Sequence, residues 1–131
     1  MTIGWHFVGA KLRDGRPVPV DGVTLTHDEL VMCESGLHYS ATPWEALQYA
    51  PGAIICRVEI GEPSIYDDDK GVATSRTILG RIDATELLYD FACAEALAVL
   101  PADAPAIVRD YLTETDHRKR AVAREAAWGA A

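Results

Sequence analysis

The stretch CESGLHYSATPWEALQYAPG, residues 33–52, decides how the chain divides into strands and helices. Gly36 permits a turn into a short extended run, Leu37-His38-Tyr39. Thr42 is a good helix N-cap, Pro43 takes the first helical position, and Glu45 falls three residues after the cap, which makes a capping box. Trp44, Leu47 and Gln48 then share one side of a short helix over 43–50. Pro51-Gly52 cannot continue it, because proline lacks the amide donor and its ring clashes with the preceding turn. The stretch also gathers Cys33, His38, Tyr39 and Tyr49, the densest set of reactive side chains in the chain.

Towards the N-terminus, residues 3–8, IGWHFV, are rich in strand formers and predict the first strand. Asp14-Gly15 and Asp21-Gly22 are turn signals, so Lys11 to Arg13 is expected to pair with the chain returning from the first. Pro17-Val18-Pro19-Val20 fits only an edge or irregular strand, since each proline lacks a ladder donor. Val23 to Thr26 reads as a short strand, His27-Asp28-Glu29 as a polar loop, and Leu30 to Cys33 as an inner strand.

Towards the C-terminus, Ala53 to Ile60 is the clearest strand. Ile54, Cys56, Val58 and Ile60 share one face, and Ile55, Arg57 and Glu59 the other. Gly61-Glu62-Pro63 is expected to end it. Ser64 to Tyr66 is a further extended piece and Asp67 to Gly71 an acidic turn. Val72 to Ile82 is mostly extended, with Ile78 and Ile82 on one side and a bend at Gly80.

The composition changes at residue 83. Asp83 as N-cap and Glu86 three residues later open a long helix, with Leu87, Leu88, Phe91, Ala94, Glu95 and Leu97-Ala98 at spacings of three and four. Pro101 ends it. Asp103 and Pro105 open a second helix with a stripe of Ile107, Val108, Tyr111 and Leu112. Asp116 caps a third, alanine-rich helix running from His117 towards Trp128. The basic run His117 to Arg120 opposes the dipole at its start, so that face is expected to meet acidic groups or water. A run of strands interrupted by one short helix, then a run of helices, predicts an α+β fold: a mainly antiparallel sheet with three C-terminal helices packed on one face. The chain reads as one domain, β-rich over 1–82 and helical over 83–131.

The chain has 131 residues and a net charge of −8, which disfavours direct binding to nucleic acid or anionic membrane and suits a basic protein partner. Its three cysteines are odd in number and widely spaced; Cys56 and Cys93 have apolar neighbours, so the thiols read as reduced and buried, in a cytoplasmic setting. No apolar run approaches the roughly 20 residues a membrane span needs.

Several of these residues together resemble a known group. They are Cys33, Gly36, Leu37 and His38; Tyr49 to Gly52; Cys56 to Glu59; and Asp69, Lys70, Val72 and Ala73. The pattern is similar to that of small proteins, without an assigned activity, from bacteria, phages and mobile elements. Some of those carry alanine-, arginine- and tryptophan-rich helical tails, of which Ala121 to Trp128 looks like a short version. A more distant likeness is to ADP-ribosyltransferases, which have a His- or Arg-bearing first strand, a Gly-Leu-Tyr-x-Ser strand before a helix, and a late catalytic glutamate. That likeness implies His6, Tyr39 and Glu86 as catalytic residues and NAD as cofactor, with the carboxylate steadying an oxocarbenium-like transition state. Glu86 has the competing role of a helix-capping residue.

Other groupings weigh less. Cys33 and His38 lack the paired ligand spacing of a zinc site, and no metal is expected. Trp5, Trp44 and Trp128 read as packing residues. Asp67, Asp68, Asp69 and Lys70 form a charged turn that can bind a partner, and Trp5 with His38 adds a second binding candidate. The first expectation is therefore a non-catalytic acidic interaction protein with no cofactor. Its partner would be a nucleic-acid-binding protein, such as a host defence complex inhibited in the manner of an anti-CRISPR protein. The alternative is the NAD-using enzyme. Homodimerisation through the C-terminal helices is a further expectation, since Trp128 and its alanines have little else to cover. What remains without a structural role is His38-Tyr39 next to Trp5-His6.

Overall fold

In the computed structural model, residues 1–28, 30 and 36–129 are described, the last three as backbone only. The expected strand over Leu30 to Cys33 and the thiol of Cys33 fall mostly outside them, as does the side chain of Trp128. The element order is β1 (Thr2–Val8), β2 (Thr24–Thr26), β3 (Leu37–Tyr39), α1 (Pro43–Leu47), β4 (Ile54–Asp67), β5 (Lys70–Asp83), α2 (Thr85–Ala98), α3 (Ala106–Thr113) and α4 (His117–Gly129). This is the α+β class. The five strands form an antiparallel sheet in the order β1-β4-β5-β2, with β3 also paired to β5. The chain divides into two compact units, Met1–Ala84 and Thr85–Ala131.

The sheet is built on the β4–β5 hairpin, closed by a two-residue turn between the paired Asp67 and Lys70. Asp68 in that turn takes a positive φ of 49°, which a short polar side chain tolerates. On β4 the alternation holds: Cys56, Val58 and Ile60 are buried and Arg57 is exposed. They form the core with Val8, Tyr39, Ala73 and Ile78. Each such aliphatic side chain contributes about 1.5–3 kcal/mol on burial.

Two expectations for these strands are corrected. Gly61-Glu62-Pro63 does not end β4. Gly61 pairs with Ser75 and Ser64 with Ala73, so two residues stand opposite one, and the bulge carries the strand past a proline with no donor. Ile82 does not share the side of Ile78. Arg57 pairs with Gly80 but Val58 with Ile78, so Leu79 is an extra residue that reverses the phase, and Ile82 is left exposed.

The turns follow the sequence. Gly15, Gly22 and Gly36 have φ of 89°, 86° and 115°, a region only glycine enters without strain. Lys11 bridges Pro17, and Leu12 N–H donates to the Arg16 carbonyl at 2.9 Å. In α1 the Thr42 hydroxyl accepts from Glu45 N–H at 3.2 Å, which is half of the capping box. The Glu45 carboxylate does other work, accepting from the Tyr66 hydroxyl at 3.4 Å. The i→i+3 bonds of Tyr49 and Ala50 tighten the last turn before Pro51. The buried residue of α1 is Ala46; Trp44 is 62% exposed and is no core residue.

In the helical unit α2 begins at Thr85; the buried Ala84 stands between it and Asp83, the last residue of β5. Leu88, Cys93, Ala96, Leu97 and Leu100 are covered, while Leu87, Phe91 and Ala94 of the expected face are exposed. In α3 Tyr111 and Leu112 are half-buried, but Ile107 and Val108 are exposed. Asp116 does cap α4, accepting from Arg118 N–H at 2.9 Å. The basic start of α4 meets acidic groups of α2: Arg120 donates to Asp90 at 2.9 Å, and His117 lies 3.8 Å from Glu86 and 3.6 Å from Asp90. Among the described residues no helix is long and apolar enough to cross a membrane.

Candidate functional site

The strand unit holds a cleft of about 410 Å³. Its position follows from one bridge. Trp5 N–H donates to the Ser40 carbonyl at 2.8 Å and Ser40 N–H to the Trp5 carbonyl at 2.9 Å. This sets Trp5-His6 of β1 beside His38-Tyr39 of β3, although β1 pairs with β4 and β3 with β5. Tyr39 fits between the strands because it passes glycines; a Cβ on Gly4 or on Gly71 would come within 2.7 Å of its ring. Tyr39 is thereby buried and belongs to the core as well as to the cleft wall. The ring of Tyr66 lies 5.5 Å from it, tilted at 46°.

The rest of the wall comes from α1 and two turns. The turn after β1 brings Lys11, Leu12 and Arg13, α1 brings Ala46 and then Tyr49, and the β4–β5 hairpin brings Lys70. Tyr49 is fixed from two sides. Its hydroxyl donates to Asp69 at 2.8 Å, and the Lys70 ammonium sits 4.7 Å over its ring, a cation–π contact. Three of the chain's 12 lysine and arginine residues thus line one cleft, and no Asp or Glu is among its described lining residues.

A smaller cavity of about 190 Å³ adjoins the first, and His6, Leu12, Arg13 and His38 line both. Its floor is Arg76 of β5, a cation only 3% exposed. Arg76 donates to the His38 carbonyl. Burial, more than the nearby Arg16, lowers its pKa to about 10. Both histidines are held neutral. Burial pushes His6 well below the usual imidazole value, helped by Arg76 and His38. Burial pushes His38 to about 4, helped by Arg13, Arg76, Lys70 and His27. His38 Nε2 is buried without a hydrogen-bond partner among the described residues.

The expected residues therefore separate. Trp5, His6, His38, Tyr39 and Lys70 line the large cleft. Asp69 reaches it only through Tyr49, and Asp67 and Asp68 stand exposed at the hairpin tip. Glu86 belongs to the helical unit and faces His117. Trp5 is half-buried at the cleft, not a core residue. Lys11, Arg13 and Arg76 join the site in addition to the residues the sequence points to. Arg76 carried a signal: it lies two residues before Ile78, the strand spacing that places both on one face, so an arginine occupies an apolar position. Among the described residues no group of three His, Cys, Asp or Glu is placed to hold a metal ion.

Comparison with known proteins gives one match. No curated protein and no solved structure matches the chain. A family model covers residues 3–90, a span containing every lining residue of both cavities and ending within α2. The chain belongs to the family described as Domain of unknown function (DUF7666).

Proposed function

We propose that the strand unit is a binding module for a nucleotide-class ligand, an aromatic base that carries phosphate. One observation carries this reading. A chain of net charge −8 concentrates Lys11, Arg13 and Lys70 around a cleft walled by Trp5, Tyr39 and Tyr49. The faces of Trp5 and Tyr49 suit a base, each stacking contact contributing about 1–3 kcal/mol, while the buried Tyr39 backs the wall and the cations suit the phosphates. The volume is within the range of small-molecule sites. The distant likeness to ADP-ribosyltransferases makes NAD the first compound to test. The proposal stops at binding, because ADP-ribosyl transfer calls for a carboxylate at the cleft and none is among its described lining residues.

The test is calorimetric titration of the full chain with NAD, ATP and AMP at low salt. Saturable binding is expected, weakened tenfold or more by Arg13→Glu, with NAD consumption measured in parallel. Absence of heat with all three nucleotides at millimolar concentration overturns the reading.

A second reading, an acidic interaction protein, is favoured by the exposed Asp67 and Asp68 at the tip of the longest hairpin. It takes a basic partner, such as the nucleic-acid-binding subunit of a host defence complex. Affinity capture from host lysate tests it; the double reversal Asp67→Lys, Asp68→Lys is expected to release the captured protein, and unchanged capture counts against the hairpin.

A further inference from the structure

The small cavity poses a problem that the large cleft does not solve. Arg76 is buried at 3% exposure, and among the described residues no carboxylate pairs with it. Its hydrogen bond to the His38 carbonyl satisfies a donor, but no carboxylate among the described residues is in contact with the charge. A buried cation is ordinarily paired, because desolvation costs several kcal/mol that only an opposite charge recovers. The surroundings add positive charge: Arg13 lines the same cavity, and Asp14, the one carboxylate among its described lining residues, is taken up by Arg16 at 2.7 Å. Two neutral imidazoles complete the wall, and His38 Nε2 is buried with no partner among the described residues.

We infer that this cavity is an anion subsite that takes a phosphate group. Arg76 supplies charge from the floor and Arg13 from the rim. His6 and His38, kept neutral, supply a ring N–H without adding repulsion between cations. Because His6, Leu12, Arg13 and His38 line both cavities, a ligand base in the large cleft directs its phosphate past the two histidines towards Arg76. The inference rests on the nucleotide reading for its ligand, but the anion site stands on Arg76 alone.

The experiment uses the full chain and three probes, adenosine, AMP and inorganic phosphate, with binding followed by calorimetry and by the imidazole signals of His6 and His38 in NMR spectra. AMP is expected to bind at least tenfold more tightly than adenosine. Arg76→Gln is expected to remove that margin while adenosine binding persists. Inorganic phosphate is expected to shift both imidazole signals in the unmodified chain, a readout that does not depend on how the variant folds. The subsite is overturned if phosphate leaves the imidazole signals unmoved, or if adenosine binds and AMP binds no more tightly than it. The two readings fail separately. Adenosine binding without a phosphate margin keeps the cleft and removes the subsite. Phosphate binding with no affinity for adenosine, AMP or NAD keeps the subsite as a site for free phosphate and removes the nucleotide cleft.

Discussion

The strand unit, Met1–Ala84, and the helical unit, Thr85–Ala131, hold themselves together by different means. In the first, the buried hydrophobic cluster runs through four strands, with Val58 and Cys56 at zero exposure. In the second, the buried side chains among those described are Cys93 and Arg120, while Leu87, Val99, Ile107 and Val122 are each more than 60% exposed. Arg120 joins α4 to Asp90 of α2 and to the Glu114 carbonyl before α4. One unit is apolar and close-packed; the other leans on a buried cation and its acceptors. The contrast explains why the cleft is in the strand unit. A site that must hold histidines neutral and an arginine dry needs walls that do not move.

The sharpest way to break this contrast is to remove an equal volume from each unit. Ile78→Ala in the strand core is expected to cost about 2–5 kcal/mol, the transfer term plus a cavity. Leu87→Ala on α2, 64% exposed, is expected to change stability by no more than about 0.5 kcal/mol. Urea denaturation of both variants checks the pair. A loss for Leu87→Ala comparable to that for Ile78→Ala shows that α2 is covered in solution, and the contrast falls.

Next in size is the ion pair. Arg120→Met removes the bonds to Asp90 and the Glu114 carbonyl but keeps the stem. With Asp90 half exposed, a loss of about 1–2 kcal/mol is expected, read as helical circular dichroism lost at lower urea. An unchanged helical signal would mean that Arg120 does not anchor the unit.

The third test is acidity. In the unfolded chain an imidazole titrates at about 6.5. In the fold His38 titrates at about 4 and His6 is also lowered, in both cases chiefly by burial. Between those values the unfolded chain binds protons that the folded chain refuses. The strand unit therefore keeps its full stability above pH 6.5 and loses it as pH falls towards 4. After allowance for the partial exposure of His38, its share is about 1–2 kcal/mol. The urea midpoint measured from pH 7 to 5 should drop, and His38→Gln should flatten the drop. A midpoint that holds steady on acidification overturns the assignment.

The same contrast governs what the sequence makes legible. Where one residue type has one physical job, the reading holds: Gly15, Gly22 and Gly36 at positive φ, Thr42 and Asp116 as caps, and the alternation of Cys56, Val58 and Ile60. It fails where a bulge intervenes, because Leu79 and the Glu62-Pro63 step reverse or continue a strand through register shifts set by the partner strand. It fails again on α2, where apolar residues fall on every side of the helix and leave little contrast to choose a face. The cleft was half visible. His38-Tyr39 beside Trp5-His6 had no structural role left, and the Trp5–Ser40 bridge places them together. Lys11 and Arg13 gave no such signal, since charged residues flanking a turn look the same whether they face water or a cleft.

The smallest effect tests whether the two units unfold as one. Thr42 caps α1 through Glu45 N–H, and Asp116 caps α4 through Arg118 N–H at 2.9 Å and Lys119 N–H at 3.4 Å. The chemistry is the same in both places, so Thr42→Ala and Asp116→Ala each remove about 1 kcal/mol from their own helix. What differs is where the loss is felt. If the chain unfolds in one cooperative step, both substitutions lower the same urea midpoint by similar amounts, whichever probe is used. If the helical unit unfolds first, Asp116→Ala moves only the helical circular dichroism. Thr42→Ala then moves only the near-ultraviolet signal of the strand unit's aromatic residues. The second outcome is expected, because so little apolar surface is buried within the helical unit that its opening falls at the low-stability end of the chain. Coincident shifts in both signals for both variants would show that the exposed faces of α2 and α3 have a partner in solution, and would overturn the separation of the units.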